Sequence, residues 1–416
     1  MMFSHPQRIL LIEPPFYRFF GYERWHYPIT LALLGTYLAE QGNEVLIYDA
    51  DKPTTECRSL NRSEVRKHYP LYGKALENKN HPIWLETDRI IQDFKPDIIG
   101  LTSITAKIES ADMIAMRARA LLGGKVKIVL GGPHVQGMRA IDPNYQFGLQ
   151  YDDVVTSVPK LVDRKPDKRL IFDYQSYSAA NFSFLLTSSG CPNACSFCCH
   201  SFNKQIVYRD HGSVSEEVLE IREAFQGHES VYIADDCLFS NTRHFEGICQ
   251  IFRAADMRFT AGSRIMALTP EKIDTFVSSG GKRIMVGVES GSQRVLDRIR
   301  KKLRVEETIK RTRWLNDAGI PWSAFIVVGF PFETIEDLKK TEELLYMIQP
   351  TFASINRLTP YPGTEIYKEF VGSRSVPFRD LYQLNCNSYF RLSDGNEEYI
   401  DRMFRDFDAY NRKNQN

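Results

Sequence analysis

The sequence of 416 residues predicts an α/β protein: a doubly wound parallel sheet followed by an open, partial version of the eightfold β/α barrel. Short apolar runs, typical of buried parallel strands, alternate with helical patterns over residues 8–130 and again over residues 181–358. Residues 159–178 interrupt this alternation with charged, polar and proline residues that lack periodicity. The predicted parts are therefore a first domain at 1–158, a linker at 159–180, a barrel at 181–366 and a C-terminal cap segment at 367–416.

The first domain has four apolar runs of strand length separated by helical patterns. The predicted strands are Arg8–Glu13, Glu44–Tyr48, Asp97–Leu101 and Lys127–Leu130, with helices at Ile29–Gln41 and Ser110–Leu122. Ligands of doubly wound sheets bind outside the carboxyl ends of the strands. Gly131 to His134 (GGPH) stand at the last of these ends, where two glycines permit close approach and Pro133 fixes a turn.

Six further strand and helix units come after the linker. The predicted strands are Phe182–Thr187, Ser230–Ala234, Arg258–Gly262, Arg283–Val288, Trp322–Val328 and Phe352–Leu358. The predicted helices lie near Ser213–Phe225, Thr242–Ala254, Pro270–Ser279, Ser292–Ile299, Glu306–Ala318 and Thr334–Ile348. Six units indicate an open barrel whose chemistry lies at the strand carboxyl ends. The last segment carries Phe378, Tyr382, Tyr389 and Phe390 before a helical pattern, and we expect it to cap the barrel.

The composition is that of a soluble globular protein, with 43% apolar and 25% charged residues. The 53 basic and 52 acidic residues balance, which argues against a broad electrostatic surface for nucleic acid or an anionic membrane. No apolar run approaches the roughly 18 residues of a membrane span. Eight cysteines fit a reducing compartment, so we expect a cytoplasmic protein that binds neither nucleic acid nor membranes.

Residues Thr187–His200 hold Cys191, Cys195 and Cys198 at a Cys-x3-Cys-x2-Cys spacing. Thiolates are preferred ligands of iron–sulfur clusters, and three cysteines leave one iron of a four-iron cluster open for another ligand. Two other interpretations stay open. A zinc site would take His200 as its fourth ligand, although zinc sites usually have paired knuckles. A disulfide is disfavoured because nothing else marks the chain as secreted.

This spacing, with Phe197 directly before the third cysteine, resembles the cluster loop of radical S-adenosylmethionine (SAM) enzymes. Segments after the later strands match that family in order and spacing as far as Thr364. The resemblance implies a [4Fe–4S] cluster held by the three cysteines, with SAM on the open iron. It further implies reductive cleavage of SAM to a 5'-deoxyadenosyl radical, a flavodoxin- or ferredoxin-type electron donor and hydrogen abstraction from an unactivated carbon.

The segment Gly287-Val288-Glu289-Ser290-Gly291-Ser292 comes after the fourth barrel strand and resembles the part of the family that contacts SAM. Gly287 permits close approach, and Glu289 can accept hydrogen bonds from hydroxyl or ammonium groups. The resemblance also places Ser290 and Phe197 among the SAM-binding residues. A simpler interpretation of Ser292 is the start of a helix.

Polar residues after the second and third barrel strands are further candidates. Arg264 can hold the methionine carboxylate bidentately, or else form an ion pair with Asp235, Asp236 or Glu289. The two aspartates can orient a polar substrate or exchange a proton with it. Cys237 is either a hydrogen-atom donor to the substrate radical or a small buried apolar residue. We therefore name Asp235, Asp236 and Cys237 as catalytic candidates.

The first domain resembles the cobalamin-binding domain of one large radical SAM subfamily. The resemblance implies that Gly131, Gly132 and His134 contact cobalamin, with His134 not required as a cobalt ligand because the Asp-x-His-x2-Gly motif is absent. A turn histidine with local hydrogen bonds is the alternative. Two departures are an insertion at residues 52–87 and a short segment after Gln136 that lacks the expected glycine-rich turn. A relic domain, kept as a substrate lid or dimer surface, is thus a second interpretation.

These patterns are compatible with three functions. The first is cobalamin-dependent methylation of an unactivated carbon in a small molecule, with one SAM supplying the radical and another the methyl group. The second omits cobalamin and leaves a radical dehydration, epimerisation or rearrangement of a polyol or sugar-like substrate. The third is an iron–sulfur or zinc scaffold without turnover, which would not need the turn at residues 287–292.

Overall fold

The computed structural model describes residues 5–414 except 53, 55–56, 157–163, 200–204, 225–229, 373–375 and 383–393. Predictions on His200, Tyr389 and Phe390 therefore lie outside the described residues. The described chain forms two compact units. The first takes its residues from 1–182, 361–363 and 371–385, and the second from 183–360, 364–370 and 386–416.

The first unit is built on a parallel sheet, as predicted. Its strands are β1 (Arg8–Glu13), β2 (Glu44–Asp49), β3 (Ile98–Thr102), β4 (Lys127–Gly131) and β5 (Asp153–Val154), in the order β2-β1-β3-β4-β5. Its helices are α1 (Ile29–Glu40), α2 (Arg62–His68), α3 (Pro70–Glu77), α4 (Pro82–Phe94), α5 (Ile108–Leu122), α6 (Pro133–Ile141) and α7 (Ala179–Phe182). The strand order reverses direction between β1 and β3, which is where sheets of this type bind ligands.

The predicted insertion at residues 52–87 contributes helices to the first core. Tyr72 and Trp84 are completely buried, and the Trp84 Nε1 donates to the carbonyl of Ala75 at 2.9 Å. A buried indole with its N–H satisfied stabilises a core through a large apolar area. The insertion is thus part of this unit's packing.

The second unit contains the predicted six-stranded parallel sheet. Its strands are β6 (Phe184–Leu185), β9 (Val231–Ile233), β10 (Phe259–Ser263), β11 (Gly281–Glu289), β12 (Trp322–Val328) and β13 (Phe352–Arg357), in the order β13-β12-β11-β10-β9-β6. Its helices are α8 (His211–Ala224), α9 (Thr242–Ala254), α10 (Pro270–Ser278), α11 (Gln293–Arg298), α12 (Val305–Asp317), α13 (Ile335–Ile348) and α14 (Asp394–Asn414). The α/β class with two parallel sheets is confirmed.

A short antiparallel pair, β7 (Ser188–Ser189) with β8 (Val207–Tyr208), stands outside this sheet. Ser188 pairs with Tyr208 and Ser189 with Val207, so the two strands close the ends of the loop that carries the three cysteines. The sequence patterns did not predict this pair, because two residues are too few to show a period of two.

The division into units differs from the predicted boundaries at two places. Residues 164–182, predicted as linker and barrel start, join the first unit, where the Phe172 N–H donates to the Ile47 carbonyl at 2.8 Å. Phe378 and Tyr382, predicted to cap the barrel, also belong to the first unit. Among the helices that the structure describes, none combines the length and the apolar character that a membrane span requires.

Candidate active site

The three predicted cluster ligands lie in the loop between β7 and β8. Cys195 is buried, while Cys191 and Cys198 are half-buried. The backbone of Ser196 fixes the middle of the loop: its N–H donates to the Ile299 carbonyl at 3.0 Å, and its carbonyl accepts from the Ile366 N–H at 3.1 Å. Within the described residues, no group of three or more His, Cys, Asp or Glu side chains is arranged so that it could hold a metal ion. The loop is thus anchored at its base and its middle.

Cys191 lies in an environment that favours a thiolate. The Cys237 thiol is 3.4 Å from its sulfur, and the Asn193 amide donates to that sulfur at 3.2 Å. The hydrogen bond from Cys237 contributes most to lowering the pKa of Cys191, to about 5. The Asn193 hydrogen bond and the positive charge of Arg264 act in the same direction, whereas burial raises the pKa. Thiolates rather than thiols ligate iron, so this donor set fits an iron–sulfur cluster.

The two aspartates predicted as catalytic bind the strand that leads into this loop. Asp235 is buried and accepts from the Thr187 N–H at 2.7 Å and from the Ser188 hydroxyl at 2.6 Å. Burial raises the pKa of Asp235, against the effect of these hydrogen bonds. Asp236 accepts from the Gly190 N–H at 3.1 Å. Both carboxylates thus position the cluster loop.

The turn after β11 is organised by a buried ion pair. Lys301 Nζ lies 2.5 Å from the Glu289 carboxylate, and each side chain is 9% exposed. Glu289 itself has φ of 69°, a left-handed conformation that is uncommon outside glycine. A Cβ on Gly287 would lie 2.5 Å from the carboxylate and 2.8 Å from the ammonium, so a side chain there would displace this pair.

Arg264 supports the same pair from the end of β10. Its Nη2 donates to the Lys301 carbonyl at 2.8 Å. The described structure gives Arg264 this carbonyl partner rather than an ion pair with Asp235, Asp236 or Glu289. A guanidinium has five N–H donors, so the remaining donors of Arg264 can serve a carboxylate ligand.

The serines of this turn bind α13. The Ser290 hydroxyl lies 3.1 Å from that of Thr341, and the Ser292 hydroxyl donates to Asp337 at 2.6 Å. A Cβ on Gly291 would lie 2.2 Å from the Lys340 carbonyl oxygen, so glycine permits the close approach of turn and helix. Ser290, predicted to contact SAM, thus has its hydroxyl turned to Thr341.

The loop after β12 meets the cluster loop through aromatic rings. Phe330 packs edge-on against Phe197 with ring centroids 6.0 Å apart. The buried Glu333 carboxylate shapes this loop by accepting from the Gly329 N–H at 2.7 Å and the Phe330 N–H at 3.3 Å. Phe197, predicted among the SAM-binding residues, thus packs against the carboxyl edge of the barrel sheet.

The residues predicted to bind cobalamin have different surroundings in the first unit. Gly132 has φ of 99°, and a Cβ there would lie 2.6 Å from the Ser103 N. His134 is buried, with Nδ1 3.3 Å from the Thr105 hydroxyl and its ring 4.9 Å from that of Phe378. Burial lowers the pKa of His134 to about 4, so this imidazole is neutral at pH 7. Beside Gly131, the Val155 carbonyl would lie 3.6 Å from an added Cβ, an ordinary contact.

Charged side chains occupy the ends of β1 and β2, next to the reversal of strand order. Lys107 pairs with Glu13 and lies 2.9 Å from Asp51, while Arg24 pairs with Asp49. Asp51 also accepts from the Phe16 N–H at 2.8 Å. All these charged groups are 16% exposed or less.

Aromatic rings cover the adjoining surface. Tyr382 stacks on Tyr69 with ring centroids 5.9 Å apart and meets the Phe16 ring edge-on at 4.8 Å. Phe378 packs on His134 in the same unit. Gly132 thus lies against the Ser103 backbone and His134 against Phe378 of the same unit, and the contact of these residues with cobalamin stays a prediction.

Comparisons with known proteins agree with the geometry of the second unit. The radical SAM superfamily model matches residues 185–345. An uncharacterized methyltransferase of Pyrococcus horikoshii is 26% identical over 369 residues, 76% of this chain and 79% of that protein. Cytidylyl-2-hydroxyethylphosphonate methyltransferase of Streptomyces wedmorensis is 26% identical over 243 residues, 54% of this chain and 45% of that protein.

A solved structure extends the likeness to both units. The radical SAM methyltransferase TsrM from Kitasatospora setae, with tryptophan and a SAM analogue bound, has a TM-score of 0.63 at 16% identity, covering 89% of this chain and 77% of that chain. A second TsrM structure, with cobalamin and a [4Fe–4S] cluster bound, has a TM-score of 0.60 at 16% identity and covers 90% of this chain and 80% of that chain. At this level of identity the comparison establishes a shared fold.

A parallel β/α sheet with a three-cysteine loop at its carboxyl edge defines an enzyme domain of the radical SAM type. The chain carries a radical SAM domain over residues 185–345 and is an enzyme of that type. Such a domain implies a [4Fe–4S] cluster, SAM and a reductant. The interpretation as a scaffold without turnover is therefore wrong.

Proposed function

We propose that this enzyme cleaves SAM at a cluster held by Cys191, Cys195 and Cys198 and methylates an unactivated carbon of a small-molecule substrate. The cluster would supply one electron to the sulfonium of SAM. The observation that carries the proposal is the thiolate-stabilising environment of Cys191 in a loop anchored at the barrel's carboxyl edge.

The chain's own residues would bind and orient SAM. Glu289, fixed by Lys301, would accept hydrogen bonds from the SAM ammonium or ribose hydroxyls, and Arg264 would donate to the methionine carboxylate. Gly287 would leave room for the Glu289–Lys301 pair beside SAM, and Phe197 would line the site beside the third cysteine. Holding SAM at one position and excluding water lets the radical meet substrate rather than solvent.

Methylation is supported by the relatives. The Pyrococcus and Streptomyces proteins are both named methyltransferases, and TsrM is a radical SAM methyltransferase with cobalamin in one structure. Cobalamin is the methyl carrier that we propose on this ground, with a flavodoxin- or ferredoxin-type protein as electron donor. Gly131, Gly132 and His134, at the carboxyl end of β4, are the residues that we propose would contact it.

One observation favours a second candidate. The carboxyl edge of the first sheet is filled by Lys107, Asp51 and Tyr382 among others, which supports a reaction without cobalamin. In that case the radical would drive dehydration, epimerisation or rearrangement of a polyol or sugar-like substrate, and Asp236 or Cys237 would be near enough to the loop to take part.

The experiment that tests these candidates is anaerobic reconstitution with iron, sulfide and hydroxocobalamin. After desalting, the visible spectrum reports retained cobalamin, and chromatography reports 5'-deoxyadenosine formed from SAM after reduction. Cobalamin bound one per chain together with 5'-deoxyadenosine supports methylation. 5'-Deoxyadenosine without retained cobalamin favours the second candidate, and a reconstituted protein that forms none contradicts both.

A further inference from the structure

Two side chains other than the three predicted cluster ligands contact the sulfur of Cys191. The Asn193 amide Nδ2 lies 3.2 Å from it, and the Cys237 sulfur lies 3.4 Å from it. Asn193 belongs to the loop itself, whereas Cys237 comes after β9 and is 2% exposed. One cluster ligand thus receives a donor from each of two separate chain segments.

The position of Cys237 is fixed by its neighbours. Asp236 accepts from the Gly190 N–H at 3.1 Å, so residues 236 and 237 contact residues 190 and 191 side by side. The Cys237 carbonyl accepts from the Ser240 N–H at 3.0 Å in the next turn of the chain. This segment therefore holds the thiol against the loop and excludes water from it.

We propose that Cys237 and Asn193 set the reduction potential of the cluster by hydrogen bonding to the Cys191 thiolate, an inference that rests on the cluster ligation in the proposed function. Hydrogen bonds to ligating sulfurs withdraw electron density and so stabilise the reduced cluster. Both residues are tuning residues that act through Cys191. Neither needs to contact SAM or the substrate.

The test uses the full chain, reconstituted anaerobically without SAM, in a dye-mediated titration followed by electron paramagnetic resonance. We expect Cys237→Ala and Asn193→Ala each to bind wild-type amounts of iron but to have a more negative midpoint potential, with the double variant lowest. Cys237→Ser keeps an O–H donor and should stay near the wild-type potential. Cys249→Ala, a buried cysteine in α9, is the matched control and should change nothing.

Wild-type midpoints in both alanine variants at normal iron content would overturn the inference. If Cys237 were instead only a hydrogen-atom donor, Cys237→Ala would keep the wild-type potential, which also overturns the inference. If Cys237→Ala binds little iron, the midpoint potential of Asn193→Ala alone decides the test. Wild-type protein that binds no iron contradicts the proposed function itself, so the two failures are distinguishable.

Discussion

The carboxyl edges of the two parallel sheets differ in the side chains that lie there. In the first unit the strand ends carry paired charges and large rings, such as Lys107 with Asp51 and Tyr382 on Phe16, and these groups bury one another. In the second unit the strand ends carry thiols and glycines, with a single buried pair between Glu289 and Lys301 in the described turn after β11. The same strand and helix arrangement thus yields a packed edge in one unit and an edge with ligand-binding chemistry in the other.

A parallel sheet determines where a ligand can bind, whereas the side chains at its carboxyl edge determine whether one does. Ligands of such sheets bind at the carboxyl edge because strands end there and loops diverge. Whether room is left depends on side-chain volume and on charge. Gly287 leaves room that its neighbours Glu289 and Lys301 fill, whereas the room beside Gly132 is taken by the Ser103 backbone.

The largest effect is expected from removing a cluster ligand. Cys195→Ala should abolish iron binding and the formation of 5'-deoxyadenosine, because two cysteines cannot hold a cluster that needs three protein thiolates. Iron per chain and 5'-deoxyadenosine after reduction are the measurements. Cys249→Ala is the control. Full activity in Cys195→Ala would mean that the loop at the carboxyl edge of the second sheet does not hold the cluster.

The next largest effect is a loss of stability when the buried ion pair between Glu289 and Lys301 is broken. Lys301→Met leaves the Glu289 carboxylate buried without its partner and should lower the free energy of unfolding by about 3–5 kcal/mol. Urea unfolding measures it. Lys302→Met is the matched control, since residue 302 is exposed and has a left-handed backbone of its own. Equal stability of both variants would mean that Lys301 does not neutralise Glu289.

Sequence patterns predicted the elements whose evidence lies within a short stretch of the chain. The six barrel strands are confirmed, since each observed strand overlaps a predicted one, and the three cysteines lie in one loop because their spacing is short. Asp235 and Cys237, predicted as catalytic because they come after a strand at its carboxyl edge, contact that loop in the structure. Their detailed roles stay predictions.

Other features have no local signal. Lys301 stands in the run Arg298 to Arg304 (RIRKKLR), and nothing in that run distinguishes the cation that meets Glu289. Tyr382 contacts Tyr69, which lies far from it along the chain, a contact that no periodicity reveals. The filling of the first edge by such rings depends on distant contacts, so the sequence pattern there did not predict it.

Two adjacent glycines, Gly131 and Gly132, test whether the carboxyl edge of the first sheet is packed. Gly132→Ala should lower the free energy of unfolding by about 2–3 kcal/mol, because its backbone is left-handed and the new methyl meets the Ser103 backbone. Gly131→Ala, with no atom nearer than 3.6 Å, should be close to neutral. Urea unfolding of both variants measures the difference. If both variants instead kept full stability and lost cobalamin equally, the turn would be a cofactor cradle and the edge would be open.

The smallest effect is the pH dependence contributed by Glu333. Burial raises the pKa of Glu333 to about 8, and its Oε1 has no hydrogen-bond partner among the described residues while Oε2 accepts from two N–H groups. The folded protein therefore binds more protons than the unfolded chain between the ordinary pKa of 4.5 and about 8, so stability falls as the pH rises through this window. From pH 6 to 7 this group should cost about 1 kcal/mol in the free energy of unfolding, and Glu333→Gln should remove that slope. Urea unfolding at both pH values measures the difference, with Glu336→Gln on the first turn of α13 as the control. A wild-type slope retained in Glu333→Gln would mean that the loop carrying Phe330 is held by a carboxylate that stays ionised.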